Sequence, residues 1–366
     1  MSKTTSATPV GPRHSAVQSL KNTGNTSRRA FLKHVAAIGL AARTGTCVRL
    51  AHAQAETSAI RAIDVHAHMP LAKFGGPLAG RFATVPTGAE AEADGSAALA
   101  RAVQQDSFDA VAALRIADMD RWGLEKTIVM PIDFGLGSDD DTHWDEAEAL
   151  AEVCRKNASR LIPFFACDPR RSNALDLLDR AVRDFGMKGV KLHPLAGFAV
   201  DDRDACYAFY AMCSELAIPV LGHCRPIGVA ARDDFARPER YERVAKDFPE
   251  LKICLGHLGG GPWSDDALRV IEQNANAYGD ISTLQSLATD DADTFGKLLR
   301  RAMDGPARER VMYGSDWPTQ RPLDAPFLRA LRGRVQGAAG DPYLSEDETA
   351  LLLRKNAQRF LSLTPA

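Results

Sequence analysis

From residue 60 onward the chain alternates between two kinds of stretch. Short apolar, β-branched runs occur at Ile60–Val65, Lys126–Pro131, Leu161–Ala166, Gly189–His193, Ile218–His223, Lys252–His257, Ala277–Ser282 and Arg310–Gly314. Amphipathic stretches separate them, among them Asp145–Asn157, Asn173–Phe185, Cys206–Ala217 and Tyr241–Phe248. Strands alternating with helices give a parallel sheet, because a parallel pair needs a crossover. Eight such units fit a (β/α)8 TIM barrel, which typically takes roughly 250 residues plus insertions. A doubly wound open sheet would carry a Gly-rich phosphate turn after its first strand, and this chain has Val65-His66-Ala67-His68 there instead. The expected fold is therefore α/β, a single barrel over residues 56–366.

Two connections stand out. Met69 to Ser107 is long and rich in Gly, Pro and Ala, the mark of a lid or binding loop, or of a disordered segment. Near the end, Ser345-Glu346-Asp347-Glu348 reads as the cap of a last helix running through Leu361.

The N-terminus has neither period. Residues 1–26 are rich in Ser, Thr, Gly and Pro and read as disordered. Ser27-Arg28-Arg29-Ala30-Phe31-Leu32-Lys33 follows, then a modest apolar stretch from Val35 to Ala42, then Leu50-Ala51-His52-Ala53-Gln54-Ala55. This resembles a twin-arginine export signal, cleaved after Ala53 or Ala55, although Arg43 and Arg49 interrupt its apolar region. Residues 1–55 are expected to be this leader, the export machinery a partner, and the periplasm the destination. The leader holds eight Lys and Arg and no Asp or Glu, which leaves 37 basic against 47 acidic residues in the body. So acidic a body argues against nucleic acid as the main partner, and no apolar run reaches the length of a membrane span.

Of the seven cysteines, Cys47 lies in the leader; Cys154, Cys167, Cys206, Cys213, Cys224 and Cys254 form no CxxC pair and read mostly as core thiols. The histidines carry more. Beyond the leader there are six, and five fall at the carboxyl end of an expected strand: His66, His68, His193, His223 and His257. Asp316 follows the eighth strand. In a barrel those ends converge on one mouth, where the chemistry sits. His66 and His68, two apart on a strand, face one side and offer half of a divalent metal site. The sixth, His143 beside Trp144, reads as a surface loop residue.

Taken together, Val65-His66-Ala67-His68, Gly189-Val190-Lys191-Leu192-His193-Pro194, Gly222-His223, Leu255-Gly256-His257-Leu258-Gly259-Gly260 and Gly314-Ser315-Asp316-Trp317-Pro318 resemble the amidohydrolase-related branch of the amidohydrolase superfamily. That branch contains hydrolases and also aminocarboxymuconate-semialdehyde and resorcylate-type decarboxylases. The resemblance implies one divalent ion, Zn2+ as first expectation, held by His66, His68, His223 and Asp316, with His257 as the acid/base beside it and Asp316 catalytic too, either ligating the ion or accepting the proton from the water. It also implies a homodimer. In two-metal relatives a modified lysine bridges the ions; Lys191 would be that lysine, with His223 and His257 on the second metal.

The remaining readings stay open between two uses. His193 contacts substrate or caps its strand, and the Gly259-Gly260-Gly261 turn offers backbone to a ligand. Arg225 and Arg321 anchor a substrate carboxylate or are solvated loop arginines, and Trp317 walls the pocket or packs on the barrel end. For the reaction, the first expectation is a metal-activated water hydrolysing a small organic acid, lactone, ester or amide. The alternative is non-oxidative decarboxylation of an aromatic or unsaturated acid, and a metal-binding barrel without activity is the remote third.

Overall fold

A computed structural model describes residues 60–364 apart from 75, 83, 85, 87, 138, 338 and 339. The leader and its paired arginines lie outside the described residues. Within them the alternating pattern folds as the expected barrel. Its strands are β1 (Ala62–His68), β2 (Leu124–Met130), β3 (Leu161–Pro163, resuming as Phe165–Ala166), β4 (Val190–Leu192), β5 (Val220–His223), β6 (Ile253–Gly256), β7 (Ala277–Asp280) and β8 (Val311–Met312). Each pairs in parallel with the next. β3 changes partner at Phe164: its N–H bonds back to Val129, while that of Phe165 bonds forward to Gly189. The ring closes where Val65 N–H donates to Tyr313 O at 3.1 Å and His68 N–H to Trp317 O at 2.6 Å.

Eight longer helices cover the outside: α1 (Phe108–Trp122), α2 (Asp140–Lys156), α3 (Ala174–Arg183), α4 (Arg203–Glu215), α5 (Pro238–Asp247), α6 (Ser264–Gln273), α7 (Ala292–Asp304) and α8 (Arg321–Arg332). Two apolar layers result, as strand alternation requires. Ile63, Val65, Ile128, Met130, Phe164, Leu221 and Met312 fill the barrel interior, closed below by Ala357 and Phe360. The larger layer lies between strands and helices. The Met69–Ser107 connection carries short helices at Gly76–Phe82, Ala89–Ala93 and Ser96–Gln104. The last helix has its capping box on Ser345 and Glu348. All six cysteines of the described residues are buried and unpaired, so the core-thiol reading holds.

Two local features aim the site. β1 slips register against β2 between Asp64 and Ala67. Ile63 and Val65 lie in the inner layer but Ala67 in the outer, so the bulge changes which alternate residues face in and turns His66 and His68 toward the mouth. Secondly, α2 starts at Asp140, five residues before the amphipathic pattern becomes visible, because the Asp139 side chain accepts from Thr142 N–H at 2.8 Å and caps it. His143 is therefore helical and buried, bonded through Nε2 to Ala166 O, rather than a surface loop residue.

Candidate metal centre and active site

The five strand-end histidines and Asp316 do converge at the carboxyl ends of the strands. His68 Nε2 lies 3.3 Å from Asp316 Oδ1 and His66 Nε2 lies 3.7 Å from it. His66, His257 and Asp316 bring one ligand atom each within 4.8 Å of one another. His223 is one step along, its Nδ1 3.1 Å from His257 Nε2, with Nε2 3.2 Å from Arg225 O. Imidazoles and a carboxylate crowded this way suit a divalent ion.

Each of these groups is oriented from behind. Nδ1 of His68 bonds Met130 O at 3.0 Å and Nδ1 of His257 bonds Ser282 Oγ at 2.8 Å. Nδ1 of His66 bonds Asp280 Oδ2 at 3.0 Å. A carboxylate there places the proton on Nδ1 and leaves the Nε2 lone pair facing the cluster. Gly314 is needed for this approach, since a Cβ on it would lie 2.9 Å from both Asp280 Oδ1 and His66 Cβ. Below, Asp64 is bound to Arg115 and receives Ser315 N–H at 2.9 Å and Ser315 Oγ–H at 2.6 Å, which fixes the backbone just before Asp316. His257 and Asp316 themselves have φ of 70° and 57°, the left-handed region that costs non-glycine residues about 1–3 kcal/mol.

Burial sets the charges. It drives the imidazoles of His68, His223 and His257 below the usual range, so they are neutral donors near pH 7. Burial works against the Asp316 carboxylate, but its contacts with His68 and His66 outweigh burial and hold it below its ordinary value. Asp280 is held low in the same manner, by His66 and Ser282 against burial. Lys191 is 1% exposed, and burial pulls its amine down to about 8; Nζ sits 3.0 Å from His66 Nε2.

The chain matches the amidohydrolase family model over residues 63–363. It belongs to the amidohydrolase family. Among curated proteins no sequence matches it. Among solved structures it is similar to the 5-carboxyvanillate decarboxylase of Novosphingobium aromaticivorans, complexed with manganese and 4-hydroxy-3-methoxy-5-nitrobenzoic acid. That likeness has 18% identity and a TM-score of 0.57, covering 84% of this chain and 100% of that one. The 5-carboxyvanillate decarboxylase of Sphingomonas paucimobilis gives 19% and 0.58, covering 83% and 100%. A 2,6-dihydroxybenzoate decarboxylase complexed with 2,6-dihydroxybenzoate gives 17% and 0.58, covering 83% and 99%. At such identities the likeness speaks for the barrel.

Several expected site residues find other employment. Arg321 does not face substrate: Nε and Nη2 bind both oxygens of buried Asp118, at 2.6 and 3.0 Å. Trp317 is fully buried, its Nε1–H donating to Asp118 at 3.1 Å, so it packs in the wall instead of lining the pocket. The glycine turn after His257 offers less free backbone than expected. Gly259 N–H donates to Cys224 O at 3.0 Å and Gly261 N–H to Ser264 Oγ at 3.1 Å. Those glycines serve their positive φ. His193 is at the site, its ring 4.9 Å from that of His223, and its buried Nδ1 has no partner among the described residues. Burial pushes it down to about 3.

Two further groups matter that the sequence reading did not select. Asp280 carried a signal, a charged residue at the end of an apolar strand like the other ligands. Arg81 carried none, lying in the long connection; its guanidinium feels the charge of Asp316. Arg225 also feels Asp316, and burial lowers both arginines from their ordinary value.

Proposed function

We propose that this protein is a metal-dependent, non-oxidative decarboxylase of an aromatic or unsaturated carboxylic acid. The observation that carries the reading is the pair Arg81 and Arg225. Their side chains contact backbone carbonyls, at 3.4 Å to Thr319 O and to Pro226 O, and have no carboxylate partner among the described residues. Partly desolvated cations that feel the charge of Asp316 suit a substrate that brings its own carboxylate. Hydrolysis of a neutral ester or lactone has no need of them. The decarboxylases named above support the same choice over the hydrolysis that the sequence favoured.

One divalent ion would be held by His66, His68, His223 and Asp316, although the ligand atoms of this cluster within 4.8 Å of one another are those of His66, His257 and Asp316. Such an ion supplies positive charge that binds substrate oxygens and steadies charge developing in the reaction. The protein does the rest. Arg81 and Arg225 hold the carboxylate, and the neutral His257 beside Asp316 moves a proton. The carbon–carbon bond to the carboxylate breaks, CO2 leaves, and the electron pair left on carbon takes up a proton from the site. Lys191 Nζ lies 3.0 Å from His66 Nε2, the atom that an ion would take, so metal binding would displace that contact. The leader is read as directing export to the periplasm by the twin-arginine route.

The test is release of labelled CO2 from carboxyl-13C hydroxybenzoates by metal-loaded protein, run beside ester, lactone and amide hydrolysis. CO2 without hydrolysis is expected. Hydrolysis of any of these with no CO2 from the acids overturns the proposal.

A further inference from the structure

Beside His68, the loop after β2 and the first turns of α2 enclose a small cavity of about 90 Å3. Met69, Leu71, Phe74, Ile132 and Phe134 give it apolar walls. Glu146, a half-buried ionisable side chain on its lining, makes no hydrogen bond or ion pair to the other described residues, and part of it stays open to solvent. Glu146 stands one helical turn beyond His143 on α2, so both reach the same face.

Every charged neighbour is already committed. Asp133 is gripped by Arg171, with Nε 2.8 Å from Oδ2 and Nη2 3.0 Å from Oδ1. Asp140 takes the remaining arm of Arg171. His143 is bonded to Ala166 O and held neutral by burial, and His68 is turned to Met130 O and Asp316. None gives Glu146 a cation or a donor. Burial, with the nearby charge of Asp133, therefore pushes its carboxyl up to about 8. Near pH 7 the cavity is lined by a neutral carboxylic acid, one O–H donor with acceptor oxygens beside it.

The cavity has room for several waters and so for a ring substituent. His68, one of the proposed ligands, is on its lining. We propose that Glu146 is a specificity-determining residue, hydrogen-bonding a neutral oxygen substituent that the ring of the bound acid projects past His68 into this cavity. The inference rests on the decarboxylase reading for the aromatic nature of the substrate. As an acid, Glu146 donates to a hydroxyl or an ether oxygen. Once ionised it only accepts, so it keeps a hydroxyl, loses an ether, and repels a second carboxylate.

A pair of hydroxybenzoic acids differing only in methoxy against methyl, taken at each ring position in turn, reads this directly. In wild type the ratio of kcat/KM, methoxy over methyl, should be about three- to tenfold at pH 6.5 for one position, the worth of a neutral hydrogen bond. It should fall toward one as pH passes 8. In Glu146→Gln, whose amide still donates, the ratio should stay raised at all pH. In Glu146→Leu it should be near one throughout, with metal content equal to wild type as the check on folding. A wild-type ratio that ignores pH and survives Glu146→Leu overturns the inference. If no acid releases CO2, the decarboxylase reading fails by itself. The Kd ratio of the same two acids, from tryptophan quenching, then decides on Glu146: a ratio unmoved by Glu146→Leu overturns it.

Discussion

Replacing Asp280 with Asn tests whether the metal centre is built from behind. Asp280 is fully buried at the end of β7. Oδ2 accepts from His66 Nδ1 at 3.0 Å, while Oδ1 accepts from Ser282 N–H at 3.0 Å, from His257 N–H at 3.3 Å and from the Ser282 hydroxyl. One carboxylate thus sets the tautomer of one site histidine and the backbone of another. Asn has the same shape and can keep Oδ1 accepting. Its amide nitrogen would then face Nδ1 of His66, which moves the imidazole proton to Nε2 and removes the lone pair that points at the cluster. Loss of such an outer partner costs about 10–100-fold in metal affinity, or about 1.4–2.7 kcal/mol. Competition with a chromophoric chelator at pH 7.5 measures it, and a urea melt of the metal-free protein separates it from unfolding. Metal affinity within twofold of wild type, in a folded Asp280→Asn variant, refutes the argument that Asp280 presents His66 Nε2.

Two further expectations follow from the same geometry. Arg321→Ala removes the bidentate partner of buried Asp118, leaving it Trp317 Nε1–H and Arg121 at 4.0 Å, and should cost about 3 kcal/mol in urea denaturation, yet change KM for the acid less than twofold. Arg225→Met should raise that KM by about 10–100-fold, from the worth of a charged hydrogen bond; equal effects of the two on KM would contradict their assignment. The metal-free protein should also lose stability as pH falls below about 6.5. Burial depresses His68, His193, His223 and His257 in the folded state, so the unfolded chain binds more protons there and stability rises with pH. His193→Gln should flatten the slope of Tm against pH; an unchanged slope counts against a buried neutral His193.

Histidines are rare, and the barrel places strand ends together whatever the sequence between them. That is why His66, His68, His193, His223 and His257 could be read as one site from position alone. The residues whose structure departs from the sequence pattern depend on contacts distant in sequence. Arg225 and Arg321 look alike as loop arginines, but Asp118 on α1 claims Arg321 across 203 positions. His143 looked exposed because the first turn of α2 is polar and is formed by the Asp139 cap rather than by periodicity. The β1 bulge leaves no mark in composition, although the two-residue spacing of His66 and His68 survives it.

The strained residues show how cage and scaffold are joined. His257 and Asp316 both adopt positive φ, a cost that persists only where surrounding structure over-determines it. Here that structure is visible: Asp280 takes the His257 N–H, Asp316 N–H donates to His66 O at 2.7 Å, and Asp64 with Arg115 holds Ser315. These contacts come from strands and strand ends, and a hydrolase and a decarboxylase can share them. The residues proposed to separate the two reactions come from elsewhere: Arg81 in the connection after β1, Arg225 after β5 and Glu146 on α2. Loops over a rigid barrel vary at little cost to the fold. The strand-end cluster is thus common to both reactions, and under the decarboxylase reading proposed here the residues around it would select the substrate: Arg81 and Arg225 for its carboxylate and Glu146 for a ring substituent.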